Sequence, residues 1–393
     1  MEKAGRNMQN TEENERLCMC ALGTIFGFKP AIALALIENL GSAAAVFDLS
    51  EEDKDRIIDR YSPFREQLCR KSLDKAGEDL ARAAAAGGRF IHIRDSAYPP
   101  LLRECEDAPV GLWYKGATPP EEVFGRMDPI AIVGTRDISP YGREWCGRIV
   151  RAMAAGGSRP TIVSGLALGT DVCAHQEALD CGLPTIAVMA TGIDGVYPWR
   201  HNAVAQRIAA SKDCALVTDY PPGTAPVPLN FLRRNRIIAG MSRATVLIES
   251  KVRGGGMVTA NLSFSYSRDT YALTGRADDI RSQGCNRLVR ARVAEAITDC
   301  DSLMDSLGLK KAASGKENAV TLESRLRQSG LPADRVGRAA QVLLAIRGCR
   351  GITLDELTRI TGLPYRETSA IVSKLECDGM VKVDMLQRCT INI

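Results

Sequence analysis

The feature that most constrains this chain is a change of rhythm near residue 130. From there to about residue 299, short apolar runs alternate with helix-length segments. The runs are Ile130–Val133, Thr161–Val163, Thr185–Met189, Ala215–Thr218, Thr245–Ile248 and Thr270–Leu273. Between them lie segments such as Tyr141–Ala155, Asp171–Asp180, His201–Ala210 and Met257–Ser267. Continuous apolar strands are buried on both faces, and helices on both sides of a parallel sheet supply that cover. The expected fold is α/β: a Rossmann-like, doubly wound, mostly parallel sheet within residues 76–300. Ligands of such sheets bind beyond the carboxyl ends of the strands, where strand order reverses.

The flanks read differently. Leu17–Ile25 and Pro30–Leu40 have helical apolar spacing punctuated by Gly27 and Gly41, and Ser50-Glu-Glu-Asp reads as a helix N-cap. Residues 1–75 are therefore expected to be a helical domain, SAM/helix-hairpin-helix-like, of a type that serves DNA contact or packing. Residues 301–337 are polar and read as a linker. Residues 338–393 follow a winged-helix pattern: Thr353-Leu-Asp-Glu opens a helix, Gly362-Leu-Pro makes a turn, and two short strands follow. The presumed recognition helix carries Arg366 and Lys374 but also Glu367, Glu376 and Asp378, which leaves protein contact and DNA contact both open.

Composition narrows the class. The 13 Cys are scattered without a CxxC pair, and with 3 His they form no zinc-ligand spacing, which points to reduced thiols in a cytoplasmic protein without metal. The N-terminus lacks the apolar core of a signal peptide, and no apolar run approaches a membrane span, so no membrane partner is expected. Net charge is only +4, yet Asn230–Arg292 holds 11 Arg and one Lys against 4 acids. A polyanion, or a solvated basic face, fits that imbalance.

Three stretches carry the chemistry. The first strand ends in Val133-Gly134-Thr135-Arg136 and the second in Ser164-Gly165, with neither GxGxxG nor a ribose-binding acid. Small residues open the crevice, Arg136 adds a cation, and the helix start at Ser139–Gly142 offers backbone amides to a phosphate. Next comes Phe231-Leu232-Arg233-Arg234-Asn235-Arg236. Arg233 and Arg236, three apart on a helix, share a face and suit a phosphate clamp, with an internal ion-pair network as the rival. Phe231 stacks a base or joins the core. Third, Gly254-Gly255-Gly256 precedes a helix, where glycines let amides approach a phosphate closely.

The blocks IAIVGTRDISPYG, IVSGLALGTDVCAH, TGIDGVYPWRHN, YPPGTAPVPLNFLRRNRIIAGMS and IRSQGCNRLVR resemble, in order and spacing, the DNA-processing protein A (DprA/Smf) family. The resemblance covers about residues 90–295 closely and the flanks loosely. It implies sequence-independent single-stranded-DNA binding, a homodimer, and loading of a RecA-type recombinase onto DNA coated by single-strand-binding protein, in natural transformation or recombination. It implies a pocket of Gly134, Thr135, Arg136, Ser164, Gly165, Arg200 and Arg233-Arg234-Asn235-Arg236. Two positions depart from the family pattern: Trp199-Arg200 where Lys often follows TyrPro, and Gly254-Gly255-Gly256 in place of a SerGlySer-type loop.

The enzymatic rival is a LOG-type nucleotide phosphoribohydrolase on a similar fold. Its catalytic Glu has no counterpart in Gly255-Gly256-Met257-Val258-Thr259-Ala260-Asn261. Asp171 and His175, four apart on one helix, are the remaining acid/base candidates, but His175 has no evident nucleophile partner. A non-catalytic binder without cofactor is expected.

Overall fold

The structure, a computed structural model, describes residues 2–58, 61–309, 333–348, 352–383 and 388–391. Residues 1–310 and 311–393 form two compact units.

In the larger unit, five helices come first: α1 (Glu2–Ile25), α2 (Pro30–Leu40), α3 (Ala43–Phe47), α4 (Glu51–Ile57) and α5 (Arg70–Ala85). Then follow β1 (Arg89–His92), α6 (Pro100–Arg103), β2 (Gly111–Lys115) and α7 (Pro120–Arg126). The alternating part runs β3 (Pro129–Val133), α8 (Pro140–Ala155), β4 (Thr161–Ser164), α9 (Thr170–Asp180), β5 (Thr185–Val188), α10 (Asn202–Ala210) and β6 (Ala215–Thr218). It continues through α11 (Pro228–Met241), β7 (Ala244–Leu247), α12 (Gly255–Ser265), β8 (Asp269–Leu273), α13 (Gln283–Arg290), β9 (Glu295–Ile297) and α14 (Cys300–Ser306).

The strands form one sheet in the order β1-β2-β6-β5-β4-β3-β7-β8-β9. Strands β3 to β9 run parallel, while β2 joins β6 antiparallel and β1 joins β2 antiparallel. The chain moves outward from β3 to β6 and then crosses back to place β7 on the other side of β3. Order therefore reverses at β3 and β7, which fixes where the crevice lies.

Side chains on β3 alternate between two cores, as the pleat requires. Ile130 and Ile132 pack with Cys146, Ile149 and Val150 of α8 and Ala174 of α9. Ala131 and Val133 pack with Ile237 and Ile238 of α11 and Met257 of α12. The N-terminal helices share a third core with Phe90, Trp113, Met189 and Leu216 of the sheet half that ends in β1. At that edge the open hydrogen-bonding groups of β1 are occupied from within the chain. Arg16 Nη2 donates to the Phe90 carbonyl at 2.8 Å, and the His92 N–H donates to Asp95 Oδ2 at 2.8 Å. Such covering guards an edge against unwanted strand pairing.

The sequence reading missed β1, β2 and β9. Strands β1 and β2 are antiparallel and precede the β-α alternation that carried the fold assignment, while β9 ends it as a three-residue edge strand with only Ile297 buried. His175, an acid/base candidate, is a packing residue. Its Nδ1 lies 2.7 Å from Thr185 Oγ1, and burial pushes its pKa down to about 3.

The smaller unit holds α15 (Ala333–Gly348), β10 (Ile352–Thr353), α16 (Leu354–Thr361), α17 (Tyr365–Cys377), β11 (Val381–Val383) and β12 (Arg388–Ile391). Its antiparallel sheet runs β10-β12-β11. Thr353 and Glu356 close a capping box at the start of α16, and Gly362, at φ +68°, ends that helix in the left-handed region glycine favours. Val336, Leu343, Leu357, Ile371 and Leu375 form its core. The linker expected over 301–337 is shorter than that: residues 301–306 belong to α14, whose Leu303 and Met304 join the core under α8 with Leu307 and Leu309, residues 333–337 open α15, and residues 310–332 lie outside the described residues. No helix among the described residues is long and apolar enough to cross a membrane.

Candidate functional site

A cavity of about 600 Å³ opens at the carboxyl ends of β3 and β7. The loop after β3 supplies Gly134, Thr135, Arg136 and Asp137, and the loop after β7 supplies Ser250, Lys251 and Gly254. Helix α11 adds Phe231, Leu232, Arg234 and Asn235, α12 adds Gly255 and Gly256, and Tyr197 lies at the rim.

Glycine is required here by close approach. A Cβ on Gly256 would sit 2.7 Å from Leu247 Cδ1 and 3.1 Å from Gly134 Cα, so these glycines let α12 press against the β3 loop. Helix α12 therefore begins at the cavity wall, where the Gly255 and Gly256 N–H groups lack intrahelical acceptors and favour an anion, while that of Met257 donates to the Gly254 carbonyl at 3.1 Å. Gly255 faces open space within 4 Å.

Arg234 lies at the floor, only 3% exposed. Its Nη1 donates to the Val188 carbonyl at 2.7 Å, its Nη2 stands 4.0 Å from Asp171 Oδ2, and its Nε has no partner among the described residues. A Cβ on Gly165 would collide with this guanidinium, so that glycine makes room for the cation. Burial pulls the Arg234 pKa down and the Asp171 pKa up, with each charge partly offsetting the other's shift. The pair is loosely matched, and its cation has capacity for a second anion.

Arg136 stands at the mouth, exposed and in no ion pair among the described residues. Its guanidinium lies 4.9 Å from the centroid of Phe231, whose ring meets Tyr197 edge-on at 5.6 Å. Phe231 is half-buried and lines the cavity, so it offers ring surface to an occupant while bracing the cation.

Several expectations are corrected by this geometry. Arg233 and Arg236 form no joint clamp. Arg236 pairs with Asp219 at 2.6 Å and donates to the Asp107 carbonyl, because buried Asp219 needs a counter-charge. Arg233 instead stacks on Phe28, with its guanidinium 3.3 Å from the ring centroid. The start of α8 is not free for phosphate either. Glu249, 1% exposed, accepts the Ser139 N–H at 2.9 Å and the Ser139 hydroxyl at 2.5 Å, so that helix already has its anion. Ser164 is buried and donates to the Ile132 carbonyl at 2.6 Å. Arg200 is exposed and outside the cavity lining.

Lys251, Tyr197, Asp137 and Asp171 line the cavity without having been singled out as binding residues. Lys251 had a legible signal, since it lies in the loop just after β7, the strand that ends at the reversal point. Asp137 and Asp171 are the carboxylates that line the cavity, and both are engaged: Asp137 with Arg281 at 2.8 Å, Asp171 beside Arg234. Asp171 and His175 do not meet, since His175 is turned to Thr185.

A profile of the DNA recombination-mediator protein A family matches residues 89–308. Protein Smf of Synechocystis is 32% identical over 314 residues, which cover 75% of this chain and 77% of that protein. Among solved structures, DNA processing protein A from Streptococcus pneumoniae aligns with a TM-score of 0.61 and 27% identity, covering 74% of this chain and 97% of that one. DNA processing protein A from Helicobacter pylori, described for its single-stranded-DNA binding mode, aligns with a TM-score of 0.50 and 26% identity, covering 56% of this chain and 97% of that one.

Proposed function

This chain belongs to the DNA recombination-mediator protein A family, and from that premise we propose that it binds single-stranded DNA without sequence preference. The observation that carries the proposal is the placing of Arg136 at the mouth and Arg234 at the floor of one glycine-walled cavity. The Helicobacter pylori relative's single-stranded-DNA binding mode supports the choice of ligand.

Capture is electrostatic. Arg136 and Lys251 neutralise phosphates and release counterions, which makes affinity fall with salt. The strand then settles so that a phosphate reaches Arg234 and the amides at the start of α12. A cation 3% exposed lies below the reach of a stiff duplex, whereas a flexible single strand can turn a phosphate inward. Backbone amides and guanidinium groups read phosphate rather than base edges, so sequence matters little. Phe231 gives a base a stacking face that suits every base.

The chain acts without catalysing a reaction in this proposal, because Asp137 and Asp171 are already engaged by arginines. The phosphoribohydrolase alternative lacks a carboxylate free to work in the cavity. The wider role follows from the family: a cytoplasmic homodimer that protects single strands entering transformation or recombination and helps load a RecA-type recombinase, in exchange with single-strand-binding protein. Two linked subunits on one strand gain avidity over one. The order of helices and strands in residues 333–391 supports a winged-helix module for DNA or protein contact.

Fluorescence anisotropy with labelled oligonucleotides tests the proposal. The protein should prefer single strand to duplex and bind oligothymidine and mixed sequences alike. Arg136→Ala should weaken binding of both and flatten the log–log salt slope by about 0.7, the share of one single-strand phosphate contact. An unchanged affinity and slope would remove Arg136 from the interface.

A further inference from the structure

We propose that the single strand leaves the cavity over the lip of α11 onto a second stacking platform, formed by Phe28 of the N-terminal helical segment and Arg233. This rests on the single-stranded-DNA reading of the cavity and extends it to residues outside its lining.

Phe28 lies between α1 and α2 and is 62% exposed, unusual for a large aromatic side chain. Arg233 covers it with the guanidinium 3.3 Å from the ring centroid. Exposure of that size, with a guanidinium on the ring, leaves ring surface open to solvent. The Nη1 of Arg233 is buried and has no hydrogen-bond partner among the described residues. Lys29 follows directly, 5.9 Å from the Phe64 ring. Neither Arg233 nor Lys29 is in an ion pair among the described residues, and Asp219, whose charge Arg233 also feels, is held by Arg236.

The platform lies around α11 from the cavity, since side chains two apart on a helix face nearly opposite sides. Phe231 and Arg233 are two residues apart on α11, and Leu232 between them is 50% exposed and lines the cavity. One rigid helix thus carries two cation–aromatic pairs, Arg136 on Phe231 inside and Arg233 on Phe28 outside, joined by an apolar step. Alternating ring faces and uncompensated cations are what a single strand uses, bases on the rings and phosphates on the guanidinium groups. A protein partner is the rival occupant, since arginine and aromatic side chains are also enriched at protein interfaces, but its binding would carry no dependence on oligonucleotide length. In this arrangement the helical segment is a working part of the interface, and a strand must be long enough to leave the cavity before it gains from Phe28.

Length dependence provides the test. Anisotropy is measured with oligothymidine of about four and about twenty nucleotides, on wild type, Phe28→Ala and Phe28→Trp. The expected result is that Phe28→Ala weakens the long probe by about fivefold or more and leaves the short one unchanged, the loss of one stacked base. Phe28→Trp restores the long probe. Equal losses on both probes, or none on either, would overturn the platform while leaving the cavity assignment standing. Intact binding of both probes with loss of self-association in sedimentation would assign the patch to protein contact and overturn it as well. A wild-type protein that binds neither probe would instead remove the DNA reading itself.

Discussion

Arg234→Ala is expected to lower the unfolding free energy by about 3 kcal/mol and to abolish oligonucleotide binding by the protein that stays folded. The guanidinium is 3% exposed and serves three masters: the Val188 carbonyl, Asp171 and the cavity. Its removal leaves Asp171 with a long 3.4 Å hydrogen bond from the Ala167 N–H and the lesser support of Ser164 and Arg136, and leaves the Val188 carbonyl without this donor. Uncompensated buried charge is among the most destabilising changes a single substitution makes. The pH dependence has a definite sign. Burial holds the Asp171 carboxyl above its usual 3.8, and Arg234 is the leading influence pulling it down. Without Arg234 the carboxyl rises further. An acid whose folded pKa exceeds its unfolded one costs stability as pH climbs from the unfolded value through the folded value. The deficit of the variant should therefore shrink as the pH falls from neutrality through the raised carboxyl value toward the unfolded one in urea titrations. A variant as stable as wild type at neutral pH would contradict the account of the floor.

Gly169→Ala should be comparably severe although no contact is removed. Gly169 has φ +76° and ψ −118°, a conformation open essentially to glycine alone. A Cβ there would collide with the Thr135 carbonyl and lie 2.6 Å from the Arg136 carbonyl. Backbone strain and that collision together predict a loss of about 3 kcal/mol or more. Relief requires the β3 loop to lift, which displaces Arg136, so the folded fraction should bind oligonucleotide at least about tenfold more weakly, the equivalent of about 1.4 kcal/mol. Gly255→Ala is the contrast. Its Cβ would meet nothing within 4 Å, and thermal unfolding should change little. If Gly169→Ala melts like wild type, close packing of the loops is not what shapes the cavity.

The parallel part of the sheet was legible because β3 to β8 are short, mostly apolar runs with polar residues chiefly at their ends, spaced by helix-length segments. The placing of the crevice followed, since strand order and the small residues after β3 agree. What sequence could not settle was the allegiance of individual arginines. Arg233, Arg234 and Arg236 look equivalent along the chain. Their partners, Phe28, Asp171 and Asp219, come from three distant segments, and those contacts decide which cation faces the cavity. Glu249 illustrates the same limit: from the end of β7, beside β3 in the sheet but over a hundred residues on in the chain, it claims the start of α8 and leaves the start of α12 facing the cavity. Strands β1 and β2 escaped because antiparallel edge strands break the alternation that revealed the rest.

The central claim is that the cavity between β3 and β7 receives a single-stranded polynucleotide. A crystal structure of the chain with oligothymidine tests it most directly. A continuous strand is expected to enter past Arg136, with one phosphate between Arg234 and the first amides of α12. DNA bound elsewhere, with the cavity empty or holding a mononucleotide undergoing turnover, would contradict it.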